Sequence, residues 1–136
     1  MKTILLVQFC FVFVFMGYAQ EKENEHMVKV IQKEAEPNDS LIYEIIILDP
    51  GFESWLISTA KPLGYHSQTY LENWNRRYAA EWNYRYSGGQ NTDIIESSVE
   101  YDPTINYGLE LNYKLYNYFV YVETVLKLPL LNRVGY

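Results

Sequence analysis

The sequence predicts a small α+β domain: a short antiparallel β-pair packed against about three helices, preceded by a signal peptide and a flexible tether. Three observations carry that prediction. Leu41–Leu48 (LIYEIIIL) is a β-branched run, residues 93–101 alternate apolar and polar with period two, and three other stretches repeat apolar residues at helical spacing. The resulting order β-α-α-β-α, with helices outweighing strands, favours helices covering one face of a β-pair over an all-helical alternative.

Residues 1–19 read as a signal peptide. Lys2 supplies positive charge, Ile4 to Met16 is an apolar run broken only by Gln8, and Gly17-Tyr18-Ala19 puts small residues at −3 and −1 before Gln20. The run is shorter than the roughly 20 residues of a spanning helix, and acidic EKENE follows it instead of a basic flank. Cleavage is favoured over an uncleaved anchor, so the expectation is export to the periplasm or cell exterior with no stable membrane span afterwards. Residues 20–40, charged and ending in Pro37-Asn38-Asp39-Ser40, read as a flexible acidic tether. Val28, Val30 and Ile31 form a brief apolar patch there that could pair or dock.

The elements of a single domain over 41–131 follow in order, with a tail at 132–136. The near-continuous apolarity of Leu41–Leu48 predicts burial on both faces. Asp49 caps a short helix over 51–60 with Pro50 first, carrying Phe52, Trp55, Leu56 and Thr59 on one face. After the turn at Pro62-Leu63-Gly64, Thr69 and Glu72 offer a capping box for a second helix, whose stripe is Trp74, Tyr78 and Trp82. Ser87-Gly88-Gly89 ends it with a left-handed cap. Residues 93–101 would make a strand beside 41–48, with Ile95, Val99 and Tyr101 on one side and Glu96, Ser98 and Glu100 on the other. A third helix starts near Asn106 and runs to about Leu126, with one stripe of Leu111, Leu115, Tyr118, Val122 and Val125 and a second face of Tyr113, Tyr116 and Phe119.

Composition removes several function classes. The one cysteine, Cys10, lies in the signal segment, so the mature chain has no disulfide, zinc-thiolate site or cysteine nucleophile. Cleavage also removes Lys2, leaving 10 basic against 17 acidic residues, a formal charge of −7 that disfavours nucleic acid as a partner. Aromatic content is 17% with 14 tyrosines, which predicts many rings half in the core and a surface rich in ring edges.

Nothing in the sequence identifies a reaction, a cofactor or a metal motif. His26 lies in the tether, and His66 reads as a solvent-facing loop residue with no second histidine to share a metal. Asp93, Glu96, Glu100 and Asp102 cluster, but on a strand Glu96 and Glu100 would stand ~13 Å apart, outside the window for a general acid and base pair. They also miss the calcium-loop pattern, and Ser58, Ser87, Ser97 and Ser98 lack a nucleophile-elbow context. Rings beyond the core stripe make the better candidate binding surface: Tyr84, Tyr86, Tyr113 and Tyr116, with Arg77 and Arg85 available to a ligand or to Glu81.

The runs YEIIILDPGFESWL, NWNRRYAAEWNYRY and VEYDPTINYGLELNYKLYNYFVYVE resemble a domain family of unknown function in exported proteins of Bacteroidota. The likeness spans about 41–131 and includes Asp49-Pro50-Gly51-Phe52, the Asn75-x-x-x-Ala79-x-x-Trp82-Asn83 core of the second helix, and Tyr101-Asp102-Pro103. It implies an envelope location and a domain without an assigned activity. The function expected is an exported, non-catalytic module associating with an envelope protein or with itself. The alternative is a domain that binds glycan or cell-wall fragments, followed by a hydrolase built on Glu96, Glu100 or Asp102.

Overall fold

The computed structural model describes residues 26–34 and 41–132. The expected signal segment, the tether residues 20–25 and 35–40, and residues 133–136 lie outside them. Strands β1 (Met27–Glu34) and β2 (Leu41–Leu48) pair antiparallel, in register from Met27↔Leu48 to Glu34↔Leu41. Helices α1 (Phe52–Ser58), α2 (Gln68–Ser87) and α3 (Gly108–Thr124) follow, giving the expected α+β class.

The β-pair itself is a correction. Met27–Glu34, expected as tether, is the partner of β2, because Val28 and Val30 alternate inward and are buried against the core. Residues 93–101, expected as the second strand, form no strand. Ile95 and Val99 are buried as their alternation requires, yet their backbone is satisfied by side chains of α2: Trp82 Nε1 donates to Ser97 O (2.7 Å), and the Asn83 carboxamide both donates to Val99 O and accepts from Val99 N (2.8 Å each). Period two reported which side chains are buried, and carboxamide and indole groups took the ladder's place. The expected burial of β2 on both faces is also corrected, since Ile42 and Leu48 are exposed on the side away from Ile45.

Local chemistry sets the helix ends. Ser67, rather than the expected Thr69, caps α2 by accepting from Tyr70 N (3.2 Å). Glu72 instead accepts from Gln68 Nε2 (2.7 Å). Asp49 Oδ1 accepts from Gly51 N (2.9 Å) just before α1. Gly89, at φ +63°, supplies the left-handed residue that ends α2 as expected.

Helix α3 is buried along most of its length, with eleven of its seventeen residues inside. It packs against α2, β2 and α1, and after it the chain doubles back to bury Leu128 and Leu130. Buried Glu123 fastens this arrangement: it accepts from Tyr78 OH (2.7 Å), Leu130 N (3.0 Å) and Leu131 N (2.8 Å). Replacing Glu123 by leucine orphans these buried donors, so urea unfolding is expected to show a loss of about 3 kcal/mol, against about 1 kcal/mol for Tyr78→Phe. Equal losses in the two variants would remove Glu123 as the fastening point.

Candidate functional site

On α3 the residues Tyr113, Tyr116, Asn117, Val120 and Thr124 fall at helical spacing on one face. Trp55 of α1 and the following residues Thr59 to Lys61 wall one side of that face, and His66, just before α2, walls the other. Together they enclose a pocket of about 330 Å³. Among the described residues no Asp or Glu lines it, although the chain carries 17 acidic residues against 11 basic ones.

The walls are rings held by other rings. His66 lies flat on Tyr70, with centroids 4.1 Å apart and planes within 10°, and meets Tyr116 edge-on at 5.7 Å. Trp55 meets Tyr121 edge-on at 5.6 Å. Tyr113 OH donates to Lys61 O (2.8 Å), tying the loop to α3, and burial raises the pKa of this phenol. The Lys61 ammonium stands 5.4 Å over the Tyr65 ring.

The floor carries the polar groups. Asn117, 5% exposed, donates through Nδ2 to Tyr113 O (2.8 Å). That bond fixes the carboxamide, because the opposite orientation would set oxygen against oxygen. Oδ1 is left as the acceptor that Asn117 offers to the pocket. Two turns on, Thr124 Oγ1 donates to Val120 O (2.7 Å) and keeps its lone pairs available.

Asp49 buttresses the Trp55 wall from behind. Its Oδ1 accepts from Tyr121 OH (2.9 Å), and its Oδ2 lies 2.7 Å from His26 Nδ1, which pins the start of β1. A Cβ on Gly51 would stand 2.5 Å from the Tyr121 hydroxyl, so glycine is required there by close approach. Burial, and then the hydrogen bond and charge of Asp49, push the Tyr121 pKa up to about 12.

The six residues expected to form a binding surface are separated. Tyr113 and Tyr116 line the pocket, with Tyr116 only 5% exposed and so a wall instead of a surface ring. Tyr84 and Tyr86 are 69% and 44% exposed at the far end of α2. Arg85 bonds Glu81 Oε1 (2.7 Å), and Arg77 stacks over Trp74 at 4.6 Å. His66, expected to face solvent, is half-buried against the rings, and His26 is not free in a tether. Trp55, His66 and Asn117 are among the pocket residues that sequence reasoning missed. Asn117 had a signal: a carboxamide one residue from Tyr116 on an otherwise apolar face.

Glu100 and Asp102 line a more open cleft of about 770 Å³ between the sheet and residues 98–107, beside Tyr43, Tyr101 and Tyr107. Several of its polar groups are engaged in the fold. Tyr101 OH donates to Asn112 Oδ1 (2.7 Å), and Tyr107 OH accepts from Asp102 N (2.9 Å). The Thr104 hydroxyl, and then its backbone N–H, hold the Asp102 pKa below the usual carboxylate value. Glu96 accepts from His26 N (3.3 Å).

A model of a family of unknown function, DUF6146, matches residues 4–134. The chain belongs to this family. No curated protein and no solved structure matches it. The resemblance read from the sequence therefore stands at the level of an uncharacterised family. In this DUF6146 chain the resembling residues have structural work to do: Asn75 Nδ2 donates to Asn112 O (2.9 Å) inside the α2/α3 contact, Ala79 and Trp82 are buried there, and Asn83 holds Val99.

The raised Tyr121 pKa gives a signed prediction. The folded protein favours the protonated phenol, so this group's stabilisation is complete below its unfolded pKa of about 10 and is lost as pH rises towards about 12. Urea midpoints are expected to fall between those values, and Tyr121→Phe to make the fall shallower while costing about 1 kcal/mol at pH 8. An unchanged alkaline slope in that variant would contradict the assignment.

Proposed function

We propose that this chain is an exported binding module of the cell envelope, recognising its ligand through the pocket between α1 and α3. Export rests on residues 1–19, with their charged start, apolar run and Gly17-Tyr18-Ala19 end. Recognition rests on one observation, the ring-walled enclosure with the open Asn117 acceptor on its floor. A concave site of mostly apolar lining with a few placed polar groups is the usual form of a small-ligand pocket. A carboxylate hydrolase has weaker support: Asp102 is held ionised, whereas a general acid needs a raised pKa, and Glu96 already accepts from the backbone of His26.

Association with an envelope protein, or of the chain with itself, is a second reading favoured by Tyr84 and Tyr86, which project from the end of α2 as amphipathic anchors. The two readings separate by substitution. Val120→Trp fills the pocket and is expected to abolish ligand-induced change in Trp55 fluorescence, leaving self-association measured by ultracentrifugation as in wild type. Tyr84→Ala with Tyr86→Ala is expected to do the reverse. Ligand response persisting in Val120→Trp would remove the pocket from the function.

A further inference from the structure

We infer that the pocket is a site for an N-acylated sugar bearing a carboxylate, an inference that rests on the binding reading above. The pocket's own chemistry selects this class. Asn117 is buried, its Nδ2 is committed to the Tyr113 carbonyl, and its Oδ1 is therefore an acceptor that asks for a donor from the occupant. An acylamino N–H is such a donor. Val120, at the next position of the same helix face, gives the acyl methyl an apolar neighbour.

The walls favour a body that is apolar on its faces and polar around its rim. Trp55, Tyr113 and Tyr116 offer ring surface, whose negative faces attract C–H bonds, while Thr59 and Thr124 add hydrogen-bonding groups around it. A pyranose has both properties, whereas a plain arene has no donors at its rim. At about 330 Å³ the pocket lies at the small end of the usual ligand range, which suits a single ring with its substituents.

Charge decides the remaining substituent. Among the described residues the lining contains no carboxylate and includes Lys61, so an acidic arm on the sugar meets a cationic residue and no like charge. In an acidic chain this is a local inversion of the general surface.

The test is a titration of the protein as recovered after export, followed by Trp55 fluorescence and calorimetry, with a two-by-two set of sugars. N-acetylmuramic acid has both groups, N-acetylglucosamine has the acylamine alone, glucuronic acid the carboxylate alone, and glucose neither. Each group is expected to contribute about tenfold in affinity, so the doubly substituted sugar binds best. Asn117→Leu is expected to erase the preference for the acylamine and Lys61→Met the preference for the carboxylate, with thermal melting confirming that each variant folds. Because the sugar series is read in wild type, the inference is exposed even where a variant fails to fold. Equal binding of glucose and N-acetylglucosamine would overturn the role of Asn117. Binding of indole-3-acetate with no sugar response would overturn the ligand class while the pocket stands. No response to any of these probes at about 20 mM would overturn the pocket reading as well.

Discussion

Helix α3 is apolar on nearly every side, and the rest of the molecule is arranged to keep water from it. A helix without a polar face has to be covered all round. In a chain of 136 residues that demand uses most of the elements: α2 lays Tyr78 and Trp82 along one side, β2 and Phe52 cover others, and the segment after α3 returns to close the end with Leu128 and Leu130. The contacts are largely ring on ring. Phe119 stacks on Tyr78 with centroids 5.0 Å apart, and Phe52 meets Tyr118 edge-on at 5.4 Å. Rings bury large areas with two side-chain torsions each, so an aromatic core can be rigid in a small domain that has no disulfide among its described residues.

So many rings and so few spare layers leave polar groups inside, and their partners define how the elements lock. Asn75 meets Asn112 between α2 and α3; Glu123 gathers Tyr78 and the returning chain; Asn83 receives the backbone of Val99; Asp49 joins the start of β1 to α1 and α3. Most of these bonds cross between elements distant in sequence. A buried polar group without its partner costs more than a met one contributes, so these ties select one packing from the many that apolar burial alone would allow. The asparagines that mark the chain's resemblance to its family, Asn75 and Asn83, are members of this set.

The pocket lies where the cover of α3 is thinnest. Seven residues make α1 about 10 Å long, while the seventeen of α3 extend about 25 Å. The loop from Thr59 to His66 bridges the difference, held by the Tyr113 hydroxyl at Lys61 and by the His66–Tyr70 stack. A loop roof supported on rings leaves space that a longer helix would have filled with side chains. Trp55 thereby changes role, from a residue facing the core to the wall of an opening.

Local pattern determined much of this molecule. The β-branched run at Leu41–Leu48, the helical spacing of α2 and α3 and the glycines after Ser87 are legible because each depends on neighbours within a turn or two. Alternation at 93–101 correctly separated buried Ile95 and Val99 from exposed Ser98 and Glu100. What it could not supply was the backbone's partner, since the same side-chain period arises whether a neighbouring strand or the side chains of Trp82 and Asn83 satisfy the backbone hydrogen bonds. The partner of β2 was hidden for a related reason: the charged residues around Val28 and Val30 outweigh two inward valines in any local average, and only the assembled core makes their burial worthwhile. The pocket was the least legible feature. Tyr113 and Tyr116 stood out as rings beyond the main stripe, but whether a ring becomes surface, core or wall depends on what packs opposite, and Trp55, His66 and Asn117 come together from three segments that only tertiary packing joins.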